Sequence, residues 1–93
     1  MVERARHSRA VEDYLKSIYK LEQERGPVPT TVLAAELDRS PASVTNMIKN
    51  LATQGLVAHE PYHGVRLTPP GESAALRIIR RHRVIESYLI DRL

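Results

Sequence analysis

Three side chains in this 93-residue sequence have the chemistry of a cation site: Asp13, His82 and Glu86. His82 and Glu86 stand four positions apart, so on a helix both project from one face, and Asp13 lies in an earlier segment from which it could approach them. Imidazole with carboxylates and no thiolate suits manganese, iron(II), cobalt or zinc rather than a structural zinc finger. The same pair also reads as an ordinary helix-face hydrogen bond. A second set lies between residues 40 and 54. There Val44, Met47, Ile48 and Leu51 recur at helical spacing, and the opposite face presents Ala42, Ser43, Thr45, Asn46, Lys49, Asn50 and Thr53, with Ser40 just ahead and no acid among them. Small residues let a helix approach base edges, hydroxyls reach bases or phosphates, an asparagine can pair bidentately with adenine, and a lysine neutralises phosphate. A polar outer face on a small domain is the plain alternative. The third set is Tyr62, His63 and Arg66, which suit phosphate or minor-groove contact if they sit on a loop beside a duplex. Tyr62 packed across its own turn is the other reading.

Positioning these groups needs a definite order of elements. Val11, Tyr14, Leu15, Ile18 and Leu21 are spaced by three and four, which predicts an amphipathic helix from Ser8 to Arg25, capped by Ser8 and ended by Gly26 with Pro27 and Pro29. A barely two-turn helix follows from Thr30 or Thr31 to Leu37 and stops at Asp38-Arg39. Ser40-Pro41 opens a third, because serine oxygen caps free amides and proline is tolerated at the first helical position. The period then changes. Residues 56–60 and 65–68 read as strands around Pro61-Tyr62-His63-Gly64, a β-hairpin. From Thr68 a long helix carries Ala74, Ala75, Ile78, Ile79, His82, Ile85, Leu89 and Leu93 on one side. The predicted fold is mainly α with a small β-hairpin, a winged helix-turn-helix followed by a long helix of the dimerisation type.

Composition narrows the function. A chain of 10.5 kDa with no Cys, Phe or Trp builds one small aliphatic core, and disulfides, thiolate zinc sites and cysteine nucleophiles are excluded. No apolar run is long enough for a membrane span or signal peptide, so a reduced, cytoplasmic setting is expected. The net charge of +3 is segregated: Arg4, Arg6 and Arg9 at one end, Arg77, Arg80, Arg81 and Arg83 near the other, with an acidic stretch from 10 to 38. Basic clusters fit a phosphate backbone, and equally a solvated face. No Ser-His-Asp order, glycine-rich phosphate loop or paired-carboxylate cleft is visible, so neither an enzyme nor a small organic substrate is expected.

Four separated runs resemble the diphtheria-toxin-repressor family of iron- and manganese-dependent repressors, particularly its manganese transport regulators. They are residues 11–15 with 18–21, Ser40-Pro41-Ala42-Ser43-Val44-Thr45, residues 59–69, and Arg80-Arg81-His82-Arg83. The resemblance implies a homodimeric repressor of metal-uptake genes in which a bound divalent metal orders the first helix against the dimerisation helices and spaces two recognition helices for a palindromic operator on double-stranded DNA. Carried over by position, Asp13 resembles a metal ligand from the first helix, His82 one from the long helix, and Glu86 a carboxylate in or near the site. A hard oxygen at Asp13, where iron-selective members tend to have methionine, implies Mn2+ over Fe2+. Ser43 and Asn46 fall on DNA-contacting positions.

Two departures qualify that resemblance. Lys16 stands where some manganese regulators carry a second carboxylate, and the family continues with helices that supply further ligands, so the metal site is expected to be incomplete in this chain. The domain reading is accordingly 1–70 for the winged helix-turn-helix and 71–93 for the first, truncated helix of a dimerisation and metal-binding domain. The alternative is a winged-helix protein-interaction module, or a DNA-binding module that needs no metal.

Overall fold

The structure, a computed structural model, describes the backbone of residues 8–92 and the side chains of residues 8–83. Six elements follow in order: α1 (Arg9–Arg25), α2 (Thr30–Leu37), α3 (Pro41–Thr53), β1 (Val57–Glu60), β2 (Gly64–Leu67) and α4 (Pro69–Arg92). The winged helix-turn-helix expected from the sequence is therefore present, with helix ends within a residue or so of those expected, the first strand starting one residue later and the second lying one residue earlier. Arg4 and Arg6, and the stretch of the apolar stripe at Ile85, Leu89 and Leu93, lie outside the described side chains.

Each boundary has a local cause. The Ser8 hydroxyl accepts from the Val11 amide at 3.2 Å and starts α1, whose stripe Val11, Tyr14, Leu15, Ile18 and Leu21 is buried. Asp38, with φ 56°, turns the chain out of α2 while its own amide bonds back to Ala34 and Ala35, and Ser40 then caps α3 by accepting from the Ser43 amide at 3.2 Å. Thr68 does two tasks at the start of α4. Its hydroxyl donates to the Gly55 carbonyl at 2.6 Å and accepts from the Gly71 amide at 3.1 Å, tying the helix to the end of α3.

β1 and β2 pair antiparallel with Val57 opposite Leu67 and Glu60 opposite Gly64. The hairpin is not free-standing. Val28, between the two prolines that end α1, exchanges both backbone hydrogen bonds with Val65 at 2.9 Å each, so the α1–α2 connection forms a third rung beside the wing. Nothing in the alternation of the sequence predicts this; Gly26, Pro27 and Pro29 read there only as a helix terminator. Gly64 permits it. Its φ is 119°, and a side chain would run into the Val28 carbonyl.

The core is formed by one face of each element: Tyr14, Leu15 and Ile18 of α1, Leu33 of α2, Val44 and Leu51 of α3, Val28 and Val65, and Ala74, Ala75 and Ile78 of α4. Among the described residues no polar or charged side chain is buried. α4 thus enters this core with its first three turns, so residues on either side of position 70 share one hydrophobic nucleus.

Candidate nucleic-acid interface and the α1–α4 seam

α3 divides as its spacing predicts. Val44, Ile48 and Leu51 are buried and Met47 is half-buried, while Ala42, Ser43, Thr45, Asn46, Lys49 and Asn50 are exposed, as is Ser40 ahead of them. No acid occupies the first turn. Two intrahelical contacts order the polar face: Ser40 donates to the Ser43 hydroxyl at 3.0 Å, and Gln54 donates to the Asn50 side-chain oxygen at 3.2 Å. Asn46 and Lys49, three positions apart and both exposed, fall on one face of the helix.

Beside this face lies a shallow cleft of about 300 Å³ lined by Tyr14, Arg39, Ser43, Asn46, Met47 and Asn50. Arg39 is the member that spacing did not single out. It belongs to the α2–α3 turn rather than to a periodic element, and its guanidinium carbon lies 6.0 Å from the centre of the Tyr14 ring, at the outer reach of a cation–π contact. A cation placed by an aromatic face next to an acid-free helix adds to the positive character that Lys49 supplies. The only signal for it in the sequence was an arginine in the turn before a capped helix.

The wing separates its three candidates. Tyr62 is fully exposed at 103% and holds φ at 69°, unusual for a bulky residue, so it does not pack across its own turn. His63 is exposed beside it. Arg66 behaves differently: its Nε donates to Glu60 at 3.0 Å and a terminal nitrogen donates to Glu22 at 3.4 Å, while Glu22 also accepts from the Leu67 amide at 3.2 Å. Two carboxylates thus balance the Arg66 charge. These contacts brace α1, β1 and β2, and Arg66 remains 45% exposed on the wing, where the sequence suggests a contact with a phosphate.

Among the described residues, the polar rim of the α1–α4 seam has two pairs. Arg81 donates to Glu12 at 2.9 Å, and the Lys16 ammonium lies 3.1 Å from His82 Nδ1. An ammonium has only hydrogens to offer, so Nδ1 is the acceptor and the ring proton sits on Nε2. Asp13 is half-buried on the same stretch of α1. Glu86 falls outside the described side chains. Among the described residues no three of His, Cys, Asp and Glu come together. Of the described donors, His82 Nδ1 as arranged is taken by the Lys16 ammonium, a contact that does not fit a divalent metal bound at that atom.

A helix-turn-helix with a braced wing and an acid-free recognition helix defines a winged-helix DNA-binding regulator. Residues 7–65 match the model of the iron-dependent repressor N-terminal DNA-binding domain, and the chain belongs to that family. It is 41% identical over 85 residues to an uncharacterised helix-turn-helix transcriptional regulator of Methanocaldococcus jannaschii, covering 90% of this chain and 68% of that protein. It is 35% identical over 80 residues to the transcriptional regulator MntR of Lysinibacillus sphaericus, covering 86% of this chain and 58% of that regulator. The solved structure of ScaR with bound Zn2+ superposes with a TM-score of 0.78 at 32% identity, over 88% of this chain and 38% of that one. Among the described residues no helix is long and apolar enough to cross a membrane.

Proposed function

We propose that the chain is the DNA-reading part of a homodimeric transcriptional repressor that binds a palindromic operator in the cytoplasm. The observation that carries the reading is the exposed side of α3: Ala42, Ser43, Thr45, Asn46, Lys49 and Asn50 with no carboxylate, backed by a buried aliphatic side that fixes the helix on the core. Asn46 is the candidate base reader. Ser40, Ser43, Thr45 and Asn50 supply hydroxyl and amide contacts, Ala42 the close approach, and Lys49 and Arg39 the phosphate charge. Tyr62 and His63 at the wing tip reach the flanking backbone or minor groove. Arg66 holds the wing in place instead of touching DNA. Residues 1–70 would form the reading head and 71–93 the start of a dimerisation region, with α4 serving both.

For the whole protein, the family's description and the resemblance to manganese regulators suggest control by a divalent metal, Mn2+ ahead of Fe2+, and metal-uptake genes as targets. One observation favours a second reading, a member whose DNA binding does not wait for metal: the Lys16 ammonium on His82. The test of the DNA reading is amide mapping of the chain during titration with duplex selected by the chain from a random pool. Shifts confined to α3, the Arg39 turn and the wing tip are expected. A duplex that leaves α3 untouched and moves another surface overturns the reading, and points to a protein-interaction module.

A further inference from the structure

We infer that Lys16 is the resident cation of the α1–α4 seam, and that its ammonium does the joining of α1 to α4 for which the family's name implies a metal. The inference deepens the DNA-binding reading, since only in this family does a metal at the seam come into question.

Three observations carry it. The first is geometric. A metal on His82 takes a ring-nitrogen lone pair at about 2.0–2.1 Å. Nδ1 already accepts from Lys16 at 3.1 Å, so an ion arriving there must expel the ammonium. Using Nε2 instead requires the ring proton to move to Nδ1, which breaks the same hydrogen bond. The second concerns the acids. Lys16 follows Glu12 by four positions and Asp13 by three, so all three share one side of α1. Glu12 is engaged by Arg81 at 2.9 Å, which leaves Asp13, among the described residues, as the carboxylate on that side of α1 without an ion pair to an α4 arginine. The third is the field. The groove of about 590 Å³ that opens beside His82 is lined by Lys16, Lys20 and Arg83 against Glu24 and Glu36, and Glu36 is already paired with Lys20 at 3.3 Å. A dication would enter a groove with a surplus of positive charge, whereas the lysine that grows out of α1 brings its own cation at no cost in ligands.

The consequence is a register between α1 and α4 set by protein side chains, with DNA affinity insensitive to divalent metal. Mn2+ is the probe. It is titrated into the whole chain, and uptake is read without DNA from the electron-paramagnetic signal of the free aquo ion and from paramagnetic broadening of the His82 ring resonances. Affinity for the selected duplex is measured in chelator and in Mn2+. The unaltered chain is expected to leave the free-ion signal undiminished and the His82 ring sharp, with duplex affinities in the two conditions agreeing within about twofold, below the usual range of allosteric coupling. Lys16→Glu and Lys16→Gln are expected to take up Mn2+, and Lys16→Glu to acquire a metal-dependent gain in duplex affinity of about fivefold or more.

Selective broadening of His82 in the unaltered chain overturns the inference, as does failure of both variants to take up more Mn2+ than the unaltered chain. Lys16→Gln, which loses only the charge, keeps the test decisive if the glutamate variant does not fold. If no duplex is selected under any condition, the DNA reading fails, and the uptake measurements still decide the role of Lys16.

Discussion

Lys49→Ala, Asn46→Ala and Arg66→Gln should separate three roles that composition alone gives no means of telling apart. Each is measured as duplex affinity against salt, on the selected duplex and on a random one. Lys49 is exposed on the acid-free side of α3 with no carboxylate paired to it among the described ion pairs, so its charge is free to displace a counterion. Removing it should lower the slope of log affinity against log salt by roughly 0.9 per protomer on both duplexes. Asn46 carries no charge and faces the cleft shared with Ser43 and Asn50. Its removal should leave the slope intact and cost about 1–3 kcal/mol on the selected duplex alone, a loss on the order of 5- to 150-fold in affinity. Arg66 already faces Glu60 at 3.0 Å and Glu22 at 3.4 Å. Because no counterion release depends on it, Arg66→Gln should change the slope by well under half of the Lys49 effect. A slope change for Arg66→Gln equal to that for Lys49→Ala would refute the assignment of Arg66 as a brace, and equal losses on both duplexes for Asn46→Ala would demote it from base reader to backbone contact.

Arg39→Ala should weaken the selected and random duplexes alike and lower the salt slope by about 0.9 per protomer, as expected of a phosphate contact; an unchanged slope would confine Arg39 to its packing on Tyr14. Gly64→Ala forces a side chain into a positive-φ position against Val28, and strain plus the loss of the paired Val28–Val65 hydrogen bonds should destabilise by about 2–5 kcal/mol. That corresponds to a Tm lower by at least about 8 °C, and a fall of less than about 3 °C would contradict the third rung. Glu22→Ala leaves the Leu67 amide without its acceptor and should cost about 1–3 kcal/mol in chemical denaturation, while Glu22→Gln, which keeps an acceptor oxygen, should recover most of it. Equal losses for both variants would place the effect in the charge on Arg66 rather than in the amide.

How far such roles were legible beforehand depended on whether they repeat. Val44, Ile48 and Leu51 recur with the helical period, so the buried side of α3, and by subtraction its exposed polar side, could be read directly. Ser8, Ser40 and Thr68 were readable as caps because a hydroxyl ahead of a helical stripe has one dominant use. Val28, Arg39 and Arg66 follow no period. Val28 is buried through pairing with a residue thirty-seven positions away, Arg39 takes its place from the Tyr14 ring, and Arg66 is held by carboxylates on α1 and β1. Each role is fixed by tertiary placement. Asp13 and His82 are readable by residue type as candidate ligands, while the Lys16 ammonium that His82 meets has no signal in the spacing, since the contact spans sixty-six positions.

α1 ties these results together because it presents a different function on each of its sides. Tyr14 lines the cleft with Arg39 and Asn46, Glu22 holds the wing through Arg66 and the Leu67 amide, and Glu12 and Lys16 grip α4. Leu15 and Ile18 lie fully buried beneath these sides, so a shift of α1 would be felt by the close-packed neighbours. A displacement of α1 against α4 would carry with it Tyr14 in the cleft and Glu22 at the wing, the two surfaces whose relative placement a duplex would sense. On the inference that Lys16 closes the α1–α4 seam, its contact with His82 is one of the constraints on how the cleft and the wing are placed. Among the described residues, the polar groups that tie α1 to α4 there are Lys16 with His82 and Glu12 with Arg81.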